Sequence, residues 1–187
     1  LEEKIGQMML VGFWSFKEDR DALIERVQKY HLGGVFHFMA EPEDVAYFAE
    51  NIQPNAKVPL FIASDYEAGT GWYLKRGTLF PRPMARVFVG CEDSEYKIGK
   101  TIAEEGRAVG ANFTFSPVVD VNVNHMCPDV NIRSYSDEPD IVSNLAVGYI
   151  KGIQDQGMLA TAKHFPGNGG TFMDQHITQA IIDYPRD

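Results

Sequence analysis

Short apolar runs alternate with stretches of helical periodicity along this chain, and every polar, Gly-rich segment follows an apolar run rather than preceding one. Gln7 to Phe13 reads as a first strand, followed by helical spacing of Leu23, Ile24, Val27 and Tyr30 within Asp19 to Tyr30. Gly33-Gly34 breaks that helix, and Val35-Phe36-His37-Phe38 is a second strand. Pro42 suits a helix start, with Val45, Phe48, Ala49 and Ile52 on one face. Val58 to Ala63 is a third strand ending at Ser64-Asp65. The loop beyond it is Gly-rich from Ala68 to Gly77 and extends to Pro83. A helix within Asp93 to Gly110, a strand and its exit over Asn112 to Val121, a helix over Pro139 to Gln156 and a strand over Met158 to Lys163 complete the order.

Alternating βα units imply parallel strands joined by crossover helices. Loops that carry polar residues only after strands fit a (β/α)8 barrel, whose site is built at the carboxyl ends of its strands. About five such units are expected here, where a whole barrel needs eight strands and typically about 250 residues. The chain ends at Tyr184-Pro185-Arg186-Asp187 without a closing helix, so the expectation is a partial barrel spanning residues 1–187.

The chain is 44% hydrophobic and 23% charged, an ordinary globular composition with material for one sizeable core. Its net charge of -9 argues against nucleic-acid partners and anionic membrane surfaces. No apolar run reaches the length of a membrane span. The opening residues, Leu1-Glu2-Glu3-Lys4-Ile5, mix charges unlike a signal peptide, and the missing initiator Met leaves the compartment open. Cys91 and Cys127 are too few and too isolated for a disulfide framework or a zinc site, and two free thiols are expected.

The densest chemistry lies in Lys163-His164-Phe165-Pro166-Gly167-Asn168-Gly169, followed after four residues by Asp174-Gln175-His176. A strand ending on Lys-His delivers two polar side chains to a rim. Gly and Pro then shape a loop that brings backbone close to a ligand and could carry Asp174 and His176 in and out of the site. An imidazole titrates near neutral pH, and an adjacent carboxylate can hold its tautomer and raise its basicity. Asp65 also closes a strand, and a carboxylate can accept two strong hydrogen bonds from neighbouring hydroxyls. Arg133, in Asn131-Ile132-Arg133-Ser134-Tyr135-Ser136, offers a fixed fork of donors; the bland alternative is a surface pair with Asp137 or Glu138. Asp120 is a candidate support for Arg133 or Lys163, and Glu67 a candidate structural partner of a nearby base. His31, His37 and His125 lack comparable context and suit structural or rim roles, although His37 could point into the barrel.

The Lys163–Gly169 run with Asp174 and His176 resembles glycoside hydrolase family 3, in its β-N-acetylglucosaminidase branch, which carries Lys-His-Phe/Ile-Pro-Gly-x-Gly, four residues, then Asp-x-His. The variable position most often holds His and here holds Asn168. Asp65-Tyr66-Glu67-Ala68-Gly69 is similar to that family's Asp-x-Glu-Gly-Gly, with Ala68 for the first Gly. Arg133-Ser134-Tyr135-Ser136 is similar to its Arg-Ser-Phe-Ser/Gly. The resemblance implies a retaining β-N-acetylglucosaminidase acting on glycan or muropeptide substrates. Asp65, Arg133, Lys163 and His164 would bind sugar, and His176 would act as general acid/base oriented by Asp174. It implies no metal or organic cofactor. It also implies an Asp nucleophile on a later strand beyond residue 187, so that residues 1–187 alone would be inactive. A β-glucosidase, a phosphorylase, a non-catalytic sugar-binding piece and a Schiff-base aldolase using Lys163 are the alternatives. The Asp-x-His element argues against the first and the Gly/Pro loop against the last.

Overall fold

The computed structural model describes residues 1–13 and 20–182. Within them a short helix α1 (Glu2–Gly6) precedes five strands: β1 (Leu10–Phe13), β2 (Gly34–His37), β3 (Phe61–Ser64), β4 (Phe113–Thr114) and β5 (Leu159–Ala160). All pair in parallel, and their order across the sheet is their order along the chain, β1-β2-β3-β4-β5. That sequential parallel order is the order of strands in a (β/α)8 barrel. The crossovers are helices α2 (Arg20–Tyr30), α3 (Pro42–Ile52), α5 (Glu92–Ala108) and α6 (Pro139–Asp155), with a one-turn helix α4 (Pro83–Arg86) in the β3–α5 connection. The expected start of α2 at Asp19 and the residues 184–187 lie outside the described residues.

The two faces of the sheet differ. Val35, Ile62 and Tyr66 point to a fully buried core completed by Phe48, Ile102, Tyr149 and Ile153 from the helices. Each such aliphatic side chain contributes about 1.5–3 kcal/mol on full burial. On the other face, Phe36, Phe115, Phe113 and Phe61 form a run of ring contacts with centroids 4.8–5.6 Å apart. There Phe61 is 40% and Leu159 48% exposed, so this face is open. In a closed barrel it is the interior. His37 belongs to the covered face, where it is fully buried and its Nε2 lies 2.7 Å from the Tyr66 hydroxyl. It does not point into the barrel, because β2 alternates and Phe36 takes that side.

Helix α3 starts at Pro42 and carries Glu43 and Asp44 in its first turn, where acids complement the helix dipole. Val45, Phe48, Ala49 and Ile52 are its buried stripe, as the spacing requires. Helices α5 and α6 pack closely because glycines remove the side chains between them. A Cβ at Gly99 would lie 2.2 Å from the Tyr149 carbonyl oxygen, and one at Gly152 2.1 Å from that of Tyr96.

Four strands are shorter than expected, for local reasons. β3 starts at Phe61 rather than Val58: Pro59 has no N–H, and the Gln53 side chain both accepts from the Leu60 N–H (3.0 Å) and donates to its carbonyl (2.8 Å). β4 and β5 lose regular pairing near Pro117, yet single bonds continue the ladder from Thr161 N to Ser116 O and from Lys163 N to Pro117 O. β1 begins three residues late, where α1 and its exit take up the preceding chain.

Candidate active site

Alternation beyond the strand ends carries Asp65 and Lys163 to the open face at the carboxyl edge. Lys163 Nζ lies 2.7 Å from Asp65 Oδ1 and 2.7 Å from Glu67 Oε1. Arg133, delivered by a 3₁₀ turn (Asn131–Arg133), grips Glu67 side-on. Its Nη2 donates to Oε1 at 2.7 Å and its Nε to Oε2 at 3.0 Å. The remaining Arg133 nitrogen, Nη1, donates to the carboxylate and the carbonyl of Asp129 at 2.7 and 2.9 Å. The surface alternatives, Asp137 and Glu138, are not its partners.

Glu67 is 6% exposed. Burial alone would raise its carboxyl, but the Arg133 hydrogen bonds and the charges of Lys163 and Arg133 overcome that and hold it at about 2. Asp65 goes the other way: burial raises its carboxyl above the ordinary carboxylate value, against the opposing pull of Lys163. Arg133 is held more firmly protonated, because the Glu67 and Asp129 contacts outweigh burial. Glu67 is thus a permanently charged anchor between two cations, and Asp65 keeps one carboxylate oxygen free of Lys163.

Lys163 passes directly to His164, whose ring nitrogen Nδ1 lies 2.6 Å from Asp120 Oδ2. A carboxylate only accepts, so Nδ1 carries the proton and Nε2 is left for other work. Asp120 is buried, and its second oxygen accepts from the Asn168 backbone N–H at 2.5 Å. Asp120 therefore supports His164 and the Gly/Pro loop, not Arg133 or Lys163. Asn168 is the link that sequence reasoning passed over: its amide donates to Asp129 Oδ2 at 2.7 Å and so ties the loop to the Arg133 network. Asp65, Lys163, Glu67, Arg133, Asp129, Asn168, Asp120 and His164 form one continuous polar chain along the strand ends.

The base of the loop is pinned. Asn124 N–H donates to the Gly169 carbonyl at 2.9 Å and its side chain to that of Thr171 at 2.8 Å. A Cβ at Gly169 would lie 1.8 Å from the Val121 carbonyl oxygen, so only glycine fits that approach. Beyond it, Phe172, Met173 and Ile177 are exposed. On this outer segment His176 Nδ1 lies 2.7 Å from Asp174 Oδ1, and the His176 backbone N–H donates to the same oxygen at 2.9 Å. These two contacts hold the Asp174 carboxyl below its ordinary value. Nε2 of His176 again remains available, with 70% of the side chain exposed. Among the described residues neither Asp174 nor His176 itself bonds to the Asp65–Lys163 cluster, and the segment is tied to it through Gln175, which donates to Asp129 Oδ2 at 2.9 Å. His31 lines a cavity with Gln7, Leu32 and Lys57 among residues that precede the strands, away from this rim.

Under the site lies a buried pair the sequence did not signal. Arg86 Nη2 donates to Glu95 Oε2 at 3.0 Å and to the Tyr135 hydroxyl at 2.9 Å, while Nη1 donates to the Glu67 carbonyl at 3.3 Å. Arg86 Nε and Glu95 Oε1 are also 3.0 Å apart, a close ion contact without hydrogen-bond alignment. The clue available was a basic residue amid apolar neighbours in Pro83-Met84-Ala85-Arg86-Val87-Phe88. Both thiols are free, Cys91 exposed and Cys127 buried. Among the described residues no group of three or more His, Cys, Asp or Glu side chains is placed to hold a metal ion, and no helix is long and apolar enough to cross a membrane.

Residues 1–187 match the Glycosyl hydrolase family 3 N terminal domain over their whole length. The chain belongs to glycosyl hydrolase family 3. It is 32% identical over 180 residues to a β-N-acetylglucosaminidase/β-glucosidase of Cellulomonas fimi, covering 96% of this chain and 32% of that protein. The structure of a family 3 β-N-acetylglucosaminidase from a Paenibacillus species superposes with a TM-score of 0.91 at 34% identity, covering 100% of this chain and 37% of the other. A β-glucoside phosphorylase matches with a TM-score of 0.86 at 31% identity, covering 94% and 32%. The chain thus spans about a third of the length of these relatives, and its sheet is part of the family's barrel.

Proposed function

We propose that residues 1–187 form the first part of a family 3 barrel domain in a retaining β-N-acetylglucosaminidase, which removes terminal β-linked N-acetylglucosamine. The observation that carries this reading is the Asp174–His176 contact at 2.7 Å on the loop leaving Lys163 and His164. With Nδ1–H held by the carboxylate, Nε2 can give a proton to the departing oxygen and take one from the incoming water. Asp65 would accept from sugar hydroxyls, Lys163 and Arg133 would donate to sugar oxygens, and His164, held by Asp120, would offer Nε2. The nucleophile would come from residues beyond 187, so the covalent step is not built from this chain's own groups. A wall-derived muropeptide and a chitin fragment both present the required sugar, and turnover of cell-wall glycan is the role we favour.

A second reading is phosphorolysis, favoured by the likeness to the β-glucoside phosphorylase. A neutral imidazole tolerates an incoming phosphate better than a carboxylate would, because like charges repel. The deciding experiment follows an aryl β-N-acetylglucosaminide with the native polypeptide that carries this chain, with and without phosphate. Free N-acetylglucosamine of retained configuration at a phosphate-independent rate is expected. A sugar phosphate as main product establishes the second reading, and no turnover of this sugar overturns both.

A further inference from the structure

One cation at this site keeps its hydrogen-bond donors unspent. Arg82 sits between Pro81 and Pro83, and the Pro83 ring restricts it to an extended conformation immediately before α4. Its guanidinium carbon lies 3.8 Å from the centroid of the Trp72 ring, and that tryptophan is 42% exposed. Arg82 Nη1 lies 3.9 Å from Glu67 Oε2, near enough for attraction between charges but too far for a hydrogen bond. Arg133 and Lys163 share Glu67 Oε1 and Arg133 also takes Oε2, so Glu67 is already charge-paired without Arg82. Arg86 and Arg133 spend their donors on named carboxylates and carbonyls. The Arg82 guanidinium makes no hydrogen bond among the described residues.

A guanidinium has five N–H donors in its own plane. With one face on an indole, those donors emerge at its edge, beside the carboxylate that Lys163 also touches. We propose that Arg82, carried on Trp72, contacts the substrate, donating to a neutral oxygen of the sugar held by Asp65 and Lys163. This rests on the sugar-binding reading above. A hydroxyl or amide carbonyl suits the local charge better than an anion does. Asp65, Glu67 and Asp129 balance Lys163, Arg133 and Arg82, so the cluster has no net positive charge with which to attract one.

The test compares Arg82→Gln, Arg82→Lys and Trp72→Leu in the native polypeptide, measuring N-acetylglucosamine binding by calorimetry and KM and kcat on an aryl glycoside. A hydrogen bond from a charged donor is worth about 10- to 100-fold in affinity. Arg82→Gln is expected to weaken binding by that factor with its urea midpoint unchanged. Arg82→Lys should recover little, because lysine has neither the fork nor the flat face, and Trp72→Leu should fall between. Monodeoxy and N-acyl variants of the sugar locate the contact. One sugar oxygen should lose its value in Arg82→Gln while the others keep theirs. Parental affinity in Arg82→Gln, or full additivity at every sugar oxygen, overturns the proposal. Arg82-dependent saturation by inorganic phosphate overturns the neutral-oxygen assignment. Asp65→Asn and Lys163→Met separate the levels: if both bind sugar like the parent, the sugar-site reading fails; if both lose binding while Arg82→Gln does not, only the Arg82 proposal fails.

Discussion

Replacing Glu67 with glutamine keeps its shape and removes its charge. In the folded protein the Glu67 carboxyl is held at about 2, against an ordinary 4.5. At about 1.4 kcal/mol per pKa unit, that difference is worth about 3 kcal/mol of stability at neutral pH. Breaking a buried ion pair by removing one partner costs about 3–5 kcal/mol, a range that agrees. The sign follows from proton binding. A depressed carboxyl contributes fully above pH 4.5, and its contribution fades as pH falls toward 2, because the unfolded chain takes up the proton first. Glu67→Gln should therefore be less stable by about 3 kcal/mol at pH 7, and the gap should narrow to about 1 kcal/mol at pH 3. With a urea slope of about 2 kcal/mol/M, the midpoint drops by about 1.5 M at pH 7. Asp65, raised mainly by burial and further by the Glu67 charge, has the opposite pH dependence. In Glu67→Gln that second push is gone, so the pH dependence of the gap reports Glu67 together with its effect on Asp65. Urea unfolding of parent and variant from pH 7 to pH 3 makes the measurement. A gap that stays constant with pH, or one below about 1 kcal/mol at pH 7, refutes the reasoning that two cations hold this carboxylate.

Two further expectations concern packing and the loop. Gly152→Ala puts a methyl group 2.1 Å from the Tyr96 carbonyl oxygen, so α5 and α6 must separate, at a cost of about 1–3 kcal/mol read from thermal or urea unfolding. Asp120→Asn replaces one of the two accepting oxygens with an NH2 donor, which then faces a group that itself donates, His164 Nδ1–H or the Asn168 N–H. It should speed amide hydrogen exchange at Asn168 and weaken sugar binding about 10-fold, as expected for a lost charge-assisted contact, while leaving the Asp174–His176 pair intact.

The strand–helix order was legible because each element carries its own period. α3 and α6 fall within a residue or so of their expected bounds, since Pro42 and Pro139 mark where they begin. The start of β3 was not legible: it depends on Gln53, a helix-end side chain that takes the Leu60 backbone groups a strand would use. At the site, Asp65, Arg133, Lys163 and His164 could be singled out because each follows a strand in a recognisable run. Their connections could not be, because they span long sequence separations. Arg133 reaches Glu67 and Asn168 reaches Asp129, and neither local sequence names its partner. Arg82 was equally hidden, since only folding sets it on Trp72 and leaves its donors unspent.

The central claim is that His176 moves the proton, with Asp174 holding its ring. Its most direct test is the rate of His176→Ala, in the native polypeptide, on aryl β-N-acetylglucosaminides of graded leaving-group acidity, with and without azide. General acid/base catalysis is worth about 10²–10⁴-fold, so poor leaving groups, which need protonation to depart, should slow by that factor. Good leaving groups should be cleaved far more nearly at the parent rate in the first step, and azide should accelerate the second, because it attacks without a base. A His176→Ala variant that cleaves the poorest leaving group at the parent rate contradicts the account and leaves Asp174 and His176 as a surface turn.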